Sequence, residues 1–494
     1  MKKLFIILIV VFLCSIILSL LSLDSKMTAM QLVQNMGLGY NFANTFECYN
    51  QFEEIRTPEQ QVTLWGNAIP TKKMIKSLKK SGFKTIRLPI TWINFIDKMG
   101  NIDLNWILYI KEVVDWVIKD YNMYCIINIH HDCKDDNWLS KGVNAKNMFI
   151  KFWKQISNEF INYDEHLLFE SMDNPNFYYS DNNYDFKSLL ILNQAFIDTV
   201  RNSGGNNRYR LLLISGGDSQ IDLMASNYKI PKDPHNKFAI TINYFNPYNF
   251  CGGNGDKWGS ENDYKNMFTD FGTLKESFVD KGIPVIIVGT GVITNSNKEK
   301  ESIREYLFFL NTLSLSLNGM ICCLWDTSTS DYNYYDRTND KWFDEEIKNN
   351  FKKISKGKYV KPSDFSYISN IDTVTTVNSY GNMRIEIGSR KTKKAIFNVK
   401  LTTKNPSEVG FGIGGFNITG DWIGLQVNGE EGKRQYDGSY TYNIDISFKG
   451  YNNYIDIQIW WGNDKVSFNS FSVEYEKSYT IFDFSSYKND PLNN

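Results

Sequence analysis

The chain has 494 residues, enough for one large barrel plus a smaller module rather than a single average domain. Its 54 basic and 55 acidic residues nearly cancel to a net charge of -1, which removes any electrostatic case for nucleic acid or an anionic membrane surface as partner and points to a neutral ligand. Aromatic residues make up 15% of the chain; most of that surplus belongs to a large core, and the rest suits stacking on the flat apolar faces of sugars.

Residues 1–26, MKKLFIILIVVFLCSIILSLLSLDSK, place two lysines ahead of an apolar stretch over residues 4–23, the charge order of a secretory signal. A stretch of that length also spans a bilayer, and no A-x-A-like cleavage site stands out. Residues 1–25 are therefore either a cleaved signal peptide or a signal anchor that tethers the protein to a membrane. In both cases the remainder is expected outside the cell, secreted or membrane-anchored. The other cysteines, Cys48, Cys125, Cys133, Cys251, Cys322 and Cys323, form no disulfide framework for a chain this large. No C-x-x-C or histidine spacing suggests a metal, so neither a structural zinc nor a cofactor is expected.

From about residue 36 to 327, short apolar runs alternate with helical patterns. The candidate strands are GLGYNFANT, KTIRLPITW, YCIINIHH, HLLFESMD, YRLLLISGG, KFAITINYF, PVIIVGTG and GMICCLWDT. Between them, Met74, Ile75 and Leu78, closed by Gly82, and then Ile110, Val113, Val114, Val117 and Ile118, follow the spacing of helices packed on one face. Eight strands joined by helical crossovers predict an α/β fold, a parallel (β/α)8 TIM barrel, over residues 26–355. A doubly wound open sheet is the alternative, but no G-x-G-x-x-G follows the first strand.

A polar linker is expected over residues 356–374. Beyond it the apolar period changes to two, with Ile385 and Ile387, Ile396 to Leu401, Ile444 and Ile446, Ile455, Ile457 and Ile459, and Phe471, Val473 and Tyr475 alternating with polar residues. That pattern predicts an antiparallel β-sandwich over residues 375–478, followed by a tail over 479–494. Its large aromatics, Trp422, Trp460 and Trp461, are either core or a platform for carbohydrate.

In a parallel barrel, function sits where strands end at the carboxyl face. Polar and aromatic residues gather there: Asn41, Asn44, Arg87, His130, His131, Asp173, Asn174, Asn243, Trp325 and Asp326. Any one of them could simply close a strand with a hydrogen bond. Together they favour a ligand-binding mouth.

At these strand ends the chain resembles the glycoside hydrolase family 5 endoglucanases, particularly the branch acting on β-1,4-glucans and xyloglucan. MGLGYNFANTF resembles the first strand, WGNAIPTKKMIKSLKKSGFKTIRLPITW the second with its preceding helix, IINIHHD the third and YDEHLLFESMDNP the fourth. LNQAFIDTVRNSGGNNRYRLLLISGG matches the next helix and strand, and PVIIVGTG and LWDTSTSDYNYYDR fall where the seventh and eighth strands end. The resemblance covers most of residues 30–350 and leaves out the C-terminal module.

The resemblance implies a retaining glycosidase, which needs one carboxyl group as acid and base and a second as nucleophile. In the family, the acid/base glutamate follows an asparagine in an N-E-P triplet. Here the triplet is Asp173-Asn174-Pro175, so an amide, Asn174, holds the acid/base position. The nucleophile belongs to a G-E-F-G motif, and gapless pairing with PVIIVGTG puts Gly289 there, or Thr290 after a one-residue slip. The family's His-x-Tyr on strand six becomes Asn243-Tyr244-Phe245, and Phe95 lies near the place of another family histidine.

The resemblance assigns substrate contacts to Asn44, Arg87, His130, His131, Asp173, Asn243 and Trp325, with Trp325 as the floor under the central sugar. The expected function is thus a non-catalytic binder of β-1,4-glucan or a related plant polysaccharide or oligosaccharide. Two alternatives stand: an endo-β-glucanase with relocated acids such as Asp218, Asp326 or Glu299, and a surface scaffold without glycan binding.

Overall fold

A computed structural model describes residues 27–49, 55, 57–132, 142–173, 175, 177, 184–217, 221–294, 296–358, 382–386, 392–416, 422–435, 438–445, 454–462 and 465–475. The chain divides into two compact units, Met1–Lys361 and Pro362–Asn494.

The first unit is a closed barrel of eight parallel strands in sequence order: β1 (Gly39–Phe42), β2 (Thr85–Leu88), β3 (Tyr124–Asn128), β4 (Leu167–Glu170), β5 (Leu212–Ser215), β6 (Phe238–Asn243), β7 (Val285–Thr290) and β8 (Met320–Asp326). The (β/α)8 expectation holds, and the apolar runs explain why. A strand covered on both faces must be hydrophobic throughout, and every residue of β1, β2, β4, β5 and β7 is buried.

Helix Lys72–Lys80 shows the local logic of the crossovers. Thr71 caps its first turn by accepting the Met74 N–H, Met74, Ile75 and Leu78 are buried, and Gly82 reverses the chain at φ 105°. The next crossover departs from a single helix: Leu104–Asp115 is α-helical, and Trp116–Asp120 widens into a π turn that still buries Val117 and Ile118.

The amino-terminal end of the barrel is plugged by helix Ala29–Met36, whose Ala29, Leu32, Val33 and Met36 pack on inward-facing Ile126, Leu168, Leu213, Ala239, Ile286, Ile321 and Cys323. Each Leu, Ile, Val or Met among them contributes on the order of 1.5–3 kcal/mol when fully buried. That closes one end and leaves the carboxyl end of the strands as the open face. Two short strands beyond the barrel, β9 (Tyr335–Asp336) and β10 (Lys341–Trp342), form a small antiparallel pair.

The second unit contains β11 (Asn382–Glu386), β12 (Thr392–Leu401), β13 (Gly410–Phe416), β14 (Trp422–Asn428), β15 (Lys433–Arg434), β16 (Tyr440–Asp445), β17 (Tyr454–Trp461) and β18 (Val466–Tyr475). They make two antiparallel four-stranded sheets, ordered β11-β17-β13-β14 and β15-β16-β12-β18. Phe411 of one sheet meets Tyr442 of the other at 5.1 Å between ring centroids, and Val399, Phe411, Ile413, Val427 and Tyr442 are buried, as the sandwich expectation requires.

Among the described residues no helix is long and apolar enough to cross a membrane. The expected signal or anchor at residues 4–23 lies outside them, as do Cys133, Asn174 and Asp218. The five described cysteines are buried free thiols.

Candidate active site

Arg87, next to last in β2, lies inside the barrel with no exposed surface, and a buried guanidinium must be matched by acceptors. It donates through Nε and Nη2 to the two oxygens of Glu170 at 2.6 and 2.9 Å, through Nη2 to Asp173 Oδ1 at 2.6 Å and through Nη1 to Asn41 Oδ1 at 2.9 Å. Glu170 is wholly buried beneath it, whereas the Asp173 side chain keeps 18% of its surface exposed. One cation therefore faces two carboxylates.

Burial works against the charge on Asp173, but the facing His130 and the charge and hydrogen bond of Arg87 outweigh it and hold its carboxyl below the usual range. His130 Nε2 lies 3.7 Å from Asp173 Oδ2. Burial, opposed by Asp173, pushes the His130 pKa well down.

Around this cluster stand rings. Trp325 lies nearly parallel to His130 at 6.0 Å and 14°, and His130 meets His131 edge-on at 4.4 Å. His131 in turn abuts Tyr49 at 5.0 Å and Trp65 at 6.1 Å. The histidine turn is held from behind by buried Asp132, which accepts the Trp92, Ile93 and His130 N–H groups at 2.5, 2.8 and 3.2 Å. Asn44 sits on the loop after β1 at φ 55°, with its amide 3.3 Å from Ser330 Oγ.

The opposite wall is β6 and β7. Ile286 and Val288 face the interior, so strict alternation would turn residue 289 outward. A register irregularity in β7 changes that. Gly289 pairs with Asn243, and a Cβ built on Gly289 would stand 2.5 Å from Asn243 Oδ1, while buried Thr290 turns toward Tyr306 of helix Lys300–Ser316. Of the two positions the sequence left open for the nucleophile, Gly289 is the one beside Asn243. Asn41 joins the walls, since it accepts from Arg87 and donates to the Val288 carbonyl at 2.7 Å. Phe245 packs on Tyr332 at 5.5 Å, and Phe95 stacks on Trp106 at 4.6 Å.

Two acids considered as relocated catalysts are placed elsewhere. Asp326 is buried and fully engaged, accepting from Tyr40 Oη at 3.0 Å and from the Ser328 and Tyr335 N–H groups at 2.8 and 2.9 Å. Glu299 stands at the N-cap position of helix Lys300–Ser316 without a side-chain capping bond and pairs instead with Lys257 at 2.9 Å, with nearly half its side chain exposed.

Glu170, Tyr49 and Trp65 were missed from the sequence. Glu170 had a signal: a lone acid inside the apolar run HLLFES needs a buried cation, and Arg87 is a base set between apolar residues of the run TIRLPI. In the second unit, Trp460 and Trp461 lie on β17, with Trp460 42% exposed, and Trp422 opens β14.

A parallel barrel with a buried Arg–carboxylate cluster and an indole at its carboxyl face defines a (β/α)8 protein with a polar, aromatic mouth suited to a small hydroxylated ligand. The sequence profile described as Cellulase (glycosyl hydrolase family 5) matches residues 42–353, and the chain belongs to that family. Endoglucanase A of Paenibacillus barcinonensis is 31% identical over 314 residues, covering 56% of this chain and 76% of the relative. Endoglucanase A of Clostridium longisporum is 29% identical over 325 residues, 63% of this chain, which spans 61% of that relative's length. Among solved structures, a GH5-4 broad specificity endoglucanase from an uncultured bovine rumen ciliate shares 45% identity, with 67% of this chain and 99% of that chain covered at a TM-score of 0.65. A mutant lichenase from Caldicellulosiruptor sp. F32, in complex with cellotetraose, shares 30% identity at a TM-score of 0.61, covering 67% and 96%.

Proposed function

We propose that this chain binds a neutral β-1,4-glucan or related plant polysaccharide in the barrel mouth without hydrolysing it. The observation that carries the reading is Gly289. The position matched to the nucleophile has no side chain, and the space its Cβ would need lies against the Asn243 amide. Asn174, at the acid/base position, is an amide, which neither supplies nor accepts the proton the reaction needs near neutral pH.

Retaining hydrolysis requires two carboxyl groups about 5–5.5 Å apart. Among the described residues of this cluster, Glu170 is sealed under Arg87 and Asp173 is the one carboxylate with exposed surface. The binding elements remain: His130, His131 and Asn44 to meet hydroxyls, Trp325 to stack on a pyranose face, and Asp173 and Asn243 as acceptors at the rim, while Arg87, expected from the resemblance to touch substrate, is buried and spends its donors on Glu170, Asp173 and Asn41. The protein acts outside the cell, directed there by residues 1–25.

Asp173 also favours a second reading, a weak endoglucanase with relocated acids, because its carboxylate is ionised and faces the mouth. It supplies one group where both the retaining and inverting routes use two. Calorimetric titration with cello- and xyloglucan-oligosaccharides, alongside reducing-end release over a long incubation, separates the readings. Saturable binding with no release is expected. Turnover that disappears on Asp173→Ala would establish the weak enzyme instead, and absence of both binding and turnover would leave the barrel as a scaffold.

A further inference from the structure

We infer that the outward face of the β11-β17-β13-β14 sheet is a second carbohydrate site, built for a flat, uncharged polysaccharide chain. The inference rests on the second unit alone and stands whether or not the barrel mouth binds.

Side-chain alternation fixes which residues look outward. On β13, Phe411 and Ile413 are buried against the other sheet, so Gly410, Gly412 and Gly414 form a bare strip on the opposite face. Across the ladders, Gly412 pairs with Gln458 and Gln426, Gly410 with Asn428, and Gly414 with Gly424, which puts these neighbours on the same face. The register also places position 422 there, opposite Phe416.

β17 adds the rings. Phe411 pairs with Ile459 and Gly410 with Trp461, so Trp460 is an extra residue in a bulge. The bulge brings two consecutive tryptophans over the glycine strip: a Cβ on Gly412 would stand 2.1 Å from the Trp460 ring, and one on Gly410 2.1 Å from the Trp461 ring. Their seats are two residues apart along β13, about 6.6–6.8 Å, so the pair presents neighbouring aromatic platforms to successive sugar rings. Each indole N–H is already satisfied at its edge, Trp460 by Gln458 Oε1 at 3.2 Å and Trp461 by the Ser407 carbonyl at 3.3 Å.

The chemistry of the border names the occupant. Gln458, Gln426 and Asn428 are neutral amides offering both donors and acceptors, and Gln426 Nε2 already reaches Asn428 Oδ1 at 3.3 Å. In the next ladder Arg384 and Asp456 are register partners. A flat floor with exposed indole and an uncharged amide rim matches pyranose rings, which carry apolar faces and hydroxyl edges. A tryptophan serving only the core would not sit 42% exposed on the face turned from that core.

The test uses the full-length protein and retention on amorphous cellulose and on gels containing soluble xyloglucan or mixed-linkage glucan. Trp460→Ala is expected to weaken retention by about tenfold or more, the size of losing an aromatic anchor, while Trp460→Phe, which keeps a flat ring, retains most of it. In a Trp325→Ala background, where the mouth has lost its floor, residual retention should persist and then vanish when Trp460→Ala is added. Circular dichroism and thermal melts check the fold, and Gln458→Ala supplies the same readout if Trp460→Ala unfolds. Retention unchanged by both Trp460→Ala and Gln458→Ala, or abolished completely by Trp325→Ala alone, overturns the second site and leaves the first standing. Wild-type protein that ignores all of these glucans yet captures a protein partner through Trp460 overturns it as well.

Discussion

Putting back the two acids, Asn174→Glu with Gly289→Glu, asks the most direct question of the barrel. Gly289 does not occupy the left-handed region, so its backbone accepts any L residue, and the obstruction is Asn243 Oδ1 at 2.5 Å from the new Cβ. That atom ends a short side chain, and moving it is an overpacking problem of about 1–3 kcal/mol. Gly289→Ala meets the same obstruction and should lose a similar amount without adding chemistry. An acid/base group is worth about 100-fold to 10,000-fold in rate, or roughly 3–5.5 kcal/mol of barrier, and the nucleophile opens the covalent route itself. The double variant is therefore expected to release reducing ends from soluble mixed-linkage glucan, with each single variant near the wild-type background. Thermal or urea unfolding measures the stability cost in parallel. Wild-type hydrolysis equal to that of the double variant would refute the account of a mouth without its acids. Gly289→Ala with unchanged stability would refute the crowding against Asn243.

Asp173→Asn removes a charge-assisted hydrogen bond to Arg87 but leaves Glu170 to neutralise the guanidinium, so about 1.5–3 kcal/mol is expected at neutral pH rather than the roughly 3–5 kcal/mol of a stranded buried charge. Because the folded pKa of Asp173 lies below its ordinary 3.8, this stability is present above that value and is lost as pH falls through the folded pKa. Urea unfolding across a pH series should show a constant gap between wild type and variant from about pH 8 to 5 that narrows below about 3.8; a gap undiminished near pH 2 counts against the ion pair. Trp325→Ala should weaken cellotetraose binding by about 2 kcal/mol, roughly 30-fold, by calorimetry, with little change in melting temperature. A variant that binds as the wild type does would remove Trp325 from the sugar floor.

The eight barrel strands were legible because each is a short apolar run between turn signals, and burial on both faces demands that composition whatever the neighbours are. The sandwich was legible for the complementary reason: a sheet with one wet face must alternate, and Phe411, Ile413 and Val427 mark the dry side. Strand ends also pointed to Arg87, His130, His131, Asp173 and Trp325, and the fold does bring these together. Tyr49 and Trp65 were not legible, since they reach His131 from a loop whose path no periodicity describes. The bulge in β7 was equally hidden. Sequence left Gly289 and Thr290 equivalent, because which of two adjacent residues turns inward depends on hydrogen-bond register with β6 and β8.

By itself, then, the sequence determined the two architectures and the absence of an acid at 174 and 289, since composition, period and residue identity are properties of the chain. Tertiary structure decided how the remaining charges are spent. Arg87, Glu170 and Asp173 are separated by up to 86 positions, yet they share one hydrogen-bonded cluster because β2 and β4, on either side of β3, end at the same face of the barrel. The pairing of β17 with β13 likewise decided that Trp460 and Trp461 rest on glycines of β13, with Trp460 exposed, rather than in the core their hydrophobicity alone would have chosen.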